Sequence, residues 1–233
     1  MLKTVLVTGG NKGIGLETTR LFLQLGYKVI VVARDFSDGS LQPSDALIQK
    51  CFDLTDIDRI PGLVSELGHI DILVNNAGVM HAIPYDNYPR EKIDQMLKLN
   101  IEAPVALMRE VSKSMIDNGG GRIVNNASIA GEIGHPDVWY GITKAGLINA
   151  TKSFAKILGP QGIVINAVAP GPVETDMLHV IPEDRKKAIL DAVYTGRFAW
   201  PEEVAKAIVW LATECPDYIN GTCLDINNGA YPR

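Results

Sequence analysis

TVLVTGGNKGIG, residues 4–15, is the stretch that decides the fold. Thr4 to Thr8 is a Val- and Leu-rich run without polar alternation, as expected of a parallel strand covered on both faces. The glycines that follow force a tight turn, and the helical pattern Ile14 to Leu25 begins inside that turn. This order aims free backbone N–H groups at whatever lies beyond the strand, a natural seat for a phosphate. The spacing Gly9, Gly13, Gly15 departs from GxGxxG, and a purely structural loop would also use such glycines. Directly after a strand, the turn instead reads as a pyrophosphate cradle made by Gly9, Asn11, Lys12, Gly13, Ile14 and Gly15.

Working outward, six more apolar runs read as strands: Lys28 to Ala33, Ala46 to Phe52, Ile70 to Val74, Arg122 to Asn126, Ile163 to Val168 and Cys223 to Ile226. Helical patterns lie between them at Ile57 to Leu67, Arg90 to Ile116, Val138 to Leu158, Glu183 to Val193 and Glu202 to Ala212. The alternation predicts an α/β fold: a doubly wound, mostly parallel, seven-stranded Rossmann-type sheet in a single domain spanning residues 1–233. Asp35 to Pro43 is loop-like, so the crossover after the second strand is expected to be trimmed. Ligands of such sheets bind beyond the carboxyl ends of the strands.

Composition narrows the function. The chain has 233 residues, 46% hydrophobic and 21% charged, with a net charge of −5, which disfavours nucleic-acid binding through phosphate neutralisation. Three irregularly spaced cysteines make neither a disulfide framework nor a zinc site. The apolar run in MLKTVLVTGG is too short for a signal peptide, and no run approaches about 18 apolar residues. A cytoplasmic protein without membrane or metal is expected.

The second strand ends Val32-Ala33-Arg34. An NAD site places an acidic side chain here for the ribose 2′-hydroxyl, whereas NADP requires positive charge for the 2′-phosphate. Ala33 followed by Arg34, with Lys12 in the glycine turn, favours NADP(H), although Asp35 is close enough to neutralise Arg34 in part. Tyr140-Gly141-Ile142-Thr143-Lys144 puts a phenol and an ammonium one helical turn apart on one face. A phenol is a weak acid near pH 10, and a neighbouring ammonium would lower that value toward that of a useful general acid. Ser128, at a strand end, is placed to hydrogen-bond a substrate oxygen on which charge develops. An isolated YxxxK would more often be a surface pair; the strand-end serine and the nucleotide turn upstream give this one its meaning.

Together these motifs resemble the short-chain dehydrogenase/reductase family, in its compact single-domain form, over essentially the whole chain. The matching segments are TGGNKGIG (8–15), Asp53-Leu54, NNAG (75–78), Asn100, Ser128, YGITK (140–144), PGPVETDM (170–177) and DINNGA (225–230). The resemblance implies that Tyr140 protonates a carbonyl oxygen as hydride arrives from the nicotinamide, that Ser128 polarises the carbonyl, and that Lys144 holds the ribose. It implies that Asn100 anchors a relay water; helix kinking beside Pro104 is the plainer reading. Asp53 and Leu54 would meet the adenine end, Asn76, Ala77 and Gly78 the cleft floor, and Pro170, Gly171, Val173 and Thr175 the nicotinamide side. Ser128 and Tyr140 are 12 apart where many relatives have 13, so the intervening loop is shorter. Asn125 and Asn126 receive no role.

The segment ETDM, the loop after it and the ending INNGAY are most similar to β-ketoacyl-acyl-carrier-protein reductases, which implies reduction of a ketone, most simply a β-ketoacyl thioester. The cations expected to dock an acidic carrier are reduced here to Arg122, with Gln161 at the other position, so a free ketone, aldehyde or quinone, or a CoA thioester, remains an alternative. A lid from Met177 to about Thr195, carrying Leu178, Val180, Ile181 and Ile189, suits a partly apolar substrate. His81, His135 and His179 fall near the cleft. The resemblance implies a homotetramer or dimer built on Arg90 to Ile116, Val138 to Leu158 and Cys223 to Ile226. The alternative of a different class is a catalytically idle NADP sensor on the same fold.

Overall fold

The strand and helix patterns close, in the computed structural model, into one sheet covered on both faces. The structure describes residues 2–42 and 44–232, with only the backbone at Val180. Pro43 in the expected loop and the Val180 side chain in the expected lid lie outside the described residues. The strands are β1 (Thr4–Thr8), β2 (Lys28–Ala33), β3 (Leu47–Cys51), β4 (Ile72–Asn75), β5 (Gly121–Asn126), β6 (Ile163–Pro170) and β7 (Cys223–Ile226). They lie in the order β3-β2-β1-β4-β5-β6-β7, and every neighbouring pair is parallel.

The helices are α1 (Gly13–Gln24), α2 (Ile60–Leu67), α3 (Arg90–Leu97), α4 (Ala103–Asp117), α5 (Val138–Leu158), α6 (Glu183–Ala192) and α7 (Pro201–Thr213). Because strand side chains alternate, each strand feeds two cores. Leu6, Ile30, Leu73, Ile123 and Ile165 pack with Leu63, Leu107 and Val111 of α2 and α4 on one face. Val5, Val7, Val29, Val31, Val74 and Val124 pack with Phe22, Val204 and Ile208 of α1 and α7 on the other. Burial on both faces is why these runs lack polar alternation, and each buried aliphatic side chain contributes about 1.5–3 kcal/mol.

Among the described residues no helix joins β2 to β3, so that crossover is trimmed as expected. The continuous helix expected from Arg90 to Ile116 is interrupted. Residues Lys98–Glu102 form a single π-helical turn between α3 and α4, and Asn100 sits in it, buried. Such turns frequently mark functional sites. From β1 the chain winds outward to β3 and then crosses back to β4, opening a crevice above the carboxyl ends of β1 and β4.

Candidate active site

The glycine turn is held from below by the ends of β1 and β4. Thr8 Oγ accepts hydrogen bonds from the backbone N–H of Asn76 (2.9 Å) and Ala77 (3.0 Å). Asn76 Nδ2 donates to the carbonyls of Thr8 (3.0 Å) and Gly9 (3.1 Å). Gly9 turns with φ +62°. A Cβ at Gly15 would collide with the Gly9 carbonyl and Asn76 Nδ2, so only glycine lets α1 start this close to the strand. The first turn of α1 has no acidic residue and no side-chain cap. Its N–H groups and positive dipole end therefore face the crevice, an arrangement that fits a pyrophosphate.

A cleft of about 750 Å³ runs from this turn along the strand ends. Gly9, Asn11, Lys12, Gly13, Ile14, Arg34, Asp53, Leu54, Asn76, Ala77 and Gly78 line one stretch of it, and Ser128, Tyr140, Lys144, Pro170, Gly171, Val173 and Thr175 the other. Gly15 and Asn100 do not line it; both lie behind its wall. Arg34 is exposed at the rim. Asp35 does not neutralise it: the carboxylate caps Ser37, bonding its backbone N–H (2.8 Å) and hydroxyl (2.7 Å). Those bonds hold the Asp35 pKa below its ordinary value, with a small contribution from Lys12. Among the described residues neither Lys12 nor Arg34 makes an ion pair, which leaves two cations for a 2′-phosphate.

At the other end, Tyr140 is 7% exposed and Lys144 5%. The shorter loop does not separate the serine from the tyrosine: Ser128 lies near enough to the Tyr140 hydroxyl to act against the rise in its pKa. Lys144 Nζ lies 5.6 Å from the Tyr140 ring centre and donates to the Asn126 carbonyl at 2.8 Å. The expected drop in the tyrosine pKa is corrected by the structure. Burial pushes Tyr140 up to about 12, with Ser128 opposing and the Asp137 charge adding to the rise. Burial also pushes Lys144 down to about 8. Desolvation outweighs the pair's attraction because both groups are shut away from water. At neutral pH the tyrosine is a protonated donor and the lysine still mostly an ammonium.

The Asn100 side chain is held by protein partners. Its Oδ1 accepts from the Val79 N–H (2.9 Å), and its Nδ2 donates to the Val79 carbonyl (2.9 Å) and Thr143 Oγ (3.1 Å). Both amide protons are spent, so a relay water would meet Asn100 only by donating to one of its oxygens. The side chain clamps the segment after Gly78 against α5 one residue from Lys144. Of the three histidines expected near the cleft, only His135 lines it.

Three residues escaped the sequence reading. Asn126 donates from Nδ2 to Asn76 Oδ1 (2.9 Å) while its carbonyl holds Lys144, linking the glycine turn to the lysine. Asn125 accepts from Asn75 Nδ2 (2.9 Å) and donates to Thr151 Oγ (2.9 Å), tying β4, β5 and α5 together inside the core. Asp137, 1% exposed, caps α5 by accepting from the Tyr140 N–H (3.1 Å). Its other oxygen accepts from the Ala82 N–H (2.9 Å) and Tyr88 hydroxyl (3.0 Å). An Asp directly before a helical pattern is an N-cap signal that would have found it.

Among the described residues there is no metal-binding cluster and no helix long and apolar enough to cross a membrane. Residues 3–186 match the family described as short chain dehydrogenase. The chain is 36% identical to the 3-oxoacyl-[acyl-carrier-protein] reductase FabG of Rickettsia prowazekii, over 97% of this chain and 96% of that protein. It is 32% identical to a 3alpha-hydroxysteroid dehydrogenase of Mediterraneibacter gnavus, over 98% and 96%. Among solved structures, ElxO with NADP bound superposes with a TM-score of 0.90 at 31% identity, over 99% of each chain.

Proposed function

We propose, since this chain belongs to the short chain dehydrogenase family, that it reduces a ketone with Tyr140 as general acid. The chain is an NADP-dependent oxidoreductase, and the cofactor, when bound, supplies the hydride. The observation that carries the reading is the buried, protonated Tyr140 beside Ser128 in the cleft, with Lys144 one turn further along α5. Ser128 and Tyr140 together present two donors to one carbonyl oxygen, stabilising the charge that develops there. As Tyr140 gives up its proton, the phenolate forms in a desolvated site, where the nearby Lys144 ammonium offsets its charge. Lys12 and Arg34 hold the 2′-phosphate at the opposite end.

The substrate is a 3-oxoacyl thioester. The FabG relatives and an apolar wall of Met80, Ile133, Leu178, Ile181 and Ile189 support this reading. One observation favours a free or CoA-borne substrate over a carrier-bound one. Arg122, the cation left for docking a carrier, is paired with Asp217 and donates to the Leu211 carbonyl (3.0 Å). It lies at the start of β5, away from the cleft at that strand's end.

Tyr140→Phe tests the mechanism. Turnover with NADPH and acetoacetyl-CoA should fall at least about a hundredfold, while NADPH affinity measured by fluorescence stays within about twofold. Wild-type turnover in this variant would overturn Tyr140 as the general acid, whereas an idle wild type that binds NADPH would favour the nucleotide-sensor alternative.

A further inference from the structure

The lid helix α6 sends one cation into the cleft. Arg185, half-buried, lines the cleft beside Ile181 and Ile189, and its Nη2 sits 2.8 Å from His135 Nε2. The imidazole is anchored on its other side, where Nδ1 lies 3.1 Å from the Asp137 carbonyl and 3.2 Å from the Asp137 backbone nitrogen. Because a guanidinium can only donate, Nε2 is the acceptor and the neutral ring carries its proton on Nδ1, toward that carbonyl. Burial holds the His135 pKa below its ordinary value, and the Arg185 charge acts in the same direction, so the contact joins an arginine to a neutral ring.

That partner brings no charge to the arginine, and the Asp137 carboxylate offsets its burial only in part. Among the described residues Arg185 forms no ion pair, and the nearest buried carboxylate, Asp137, is already occupied by Ala82, Tyr88 and the start of α5. A guanidinium carries five N–H donors in a planar fork suited to acyl oxygens. One is met by His135. A half-desolvated cation with unspent donors in an otherwise apolar wall is costly unless a ligand oxygen meets it. Its position narrows which oxygen: His135, whose ring centre is 5.4 Å from that of Tyr140, stands between the guanidinium and the tyrosine in the same cleft.

We infer that Arg185 is a specificity-determining residue that receives a second, acyl oxygen of the substrate, carried on the carbon next but one to the ketone. This rests on the ketone-reductase reading above and extends it, for a 3-oxoacyl unit presents that pair of oxygens whether it is a free acid or a thioester. The same wall explains the rest of the recognition: Ile133, Leu178 and Ile189 cover the hydrocarbon part.

The experiment compares wild type with Arg185→Ala and Arg185→Lys on acetoacetate, on the acetoacetyl thioester of N-acetylcysteamine and on cyclohexanone, which lacks the second oxygen. Arg185→Ala should lose on the order of ten- to a hundredfold in kcat/KM on the thioester, more on the carboxylate, and under about threefold on cyclohexanone. Arg185→Lys keeps the charge without the fork and should fall between. As a readout independent of turnover, acetoacetate should raise the melting temperature of the NADP-loaded wild type but not of Arg185→Ala. Equal losses on all three substrates, or no loss on the 3-oxoacyl pair, overturn the inference and leave the reductase reading intact. A wild type that oxidises NADPH with none of them, yet is stabilised by acetoacetate only when Arg185 is present, overturns the reductase reading and supports the role of Arg185.

Discussion

Replacing Lys144 by Met should remove a stability penalty that the active site imposes on the fold. Burial lowers the lysine from 10.5 to about 8, so its ionised form is disfavoured in the folded protein relative to the unfolded chain by roughly 3 kcal/mol, at about 1.36 kcal/mol per unit. Met keeps the length and apolar stem without the charge. Against that gain, the Asn126 carbonyl loses its 2.8 Å donor, which costs about 1–3 kcal/mol if it stays unpaired. At neutral pH the two effects nearly cancel, and the sharper observable is the pH dependence. The folded pKa lies below the unfolded one, so above about pH 8 the folded state has released this proton while the unfolded chain keeps it up to about 10.5. Stability therefore rises with pH in that window for the wild type and not for the variant. Between neutral pH and about pH 9.5 the wild type should gain about 2 kcal/mol on Lys144→Met. Urea unfolding of both proteins at the two pH values measures this, and taking the difference cancels every other titrating group. A difference that stays constant, or moves in the variant's favour as pH rises, would refute a desolvated Lys144.

Gly15→Ala should destabilise the fold by at least about 1–3 kcal/mol and abolish NADPH binding, because the added methyl collides with the Gly9 carbonyl that shapes the turn. An unchanged melting temperature and unchanged NADPH affinity would show that the turn does not need that close approach. Arg34→Ala should raise the Michaelis constant for NADPH about tenfold or more and that for NADH less than twofold, since only the first carries the 2′-phosphate. Equal effects in steady-state kinetics would remove Arg34 from the phosphate site.

How much was legible in the sequence depended on how local the signal was. Val- and Ile-rich runs mark the ends of β1 and β2 to the residue, because a strand buried on both faces writes itself as a continuous apolar run. The helix from Val138 to Leu158 was equally clear. The π turn at Lys98–Glu102 was not, since nothing in KLNIE breaks a helical pattern; it arises where Asn100 must reach the Val79 backbone. Asn125 and Asn126 looked alike as letters. Strand alternation sent one into the core against Thr151 and the other toward Asn76 and the cleft.

The sequence by itself determined the glycine turn after β1, the parallel seven-stranded plan, the Lys12 and Arg34 cations and the Tyr140–Lys144 pair, all features set by residue type at short spacing. Only the tertiary structure decided the acid-base character of that pair, because desolvation depends on what the rest of the chain packs around a group and not on its neighbours in sequence. It also decided that Asp35 turns away from Arg34, that Asn100 works behind the cleft wall, and that Arg185, on the lid helix and 50 residues from His135, meets it across the cleft. Contacts at that separation exist only once the sheet has folded and the lid lies over its carboxyl ends.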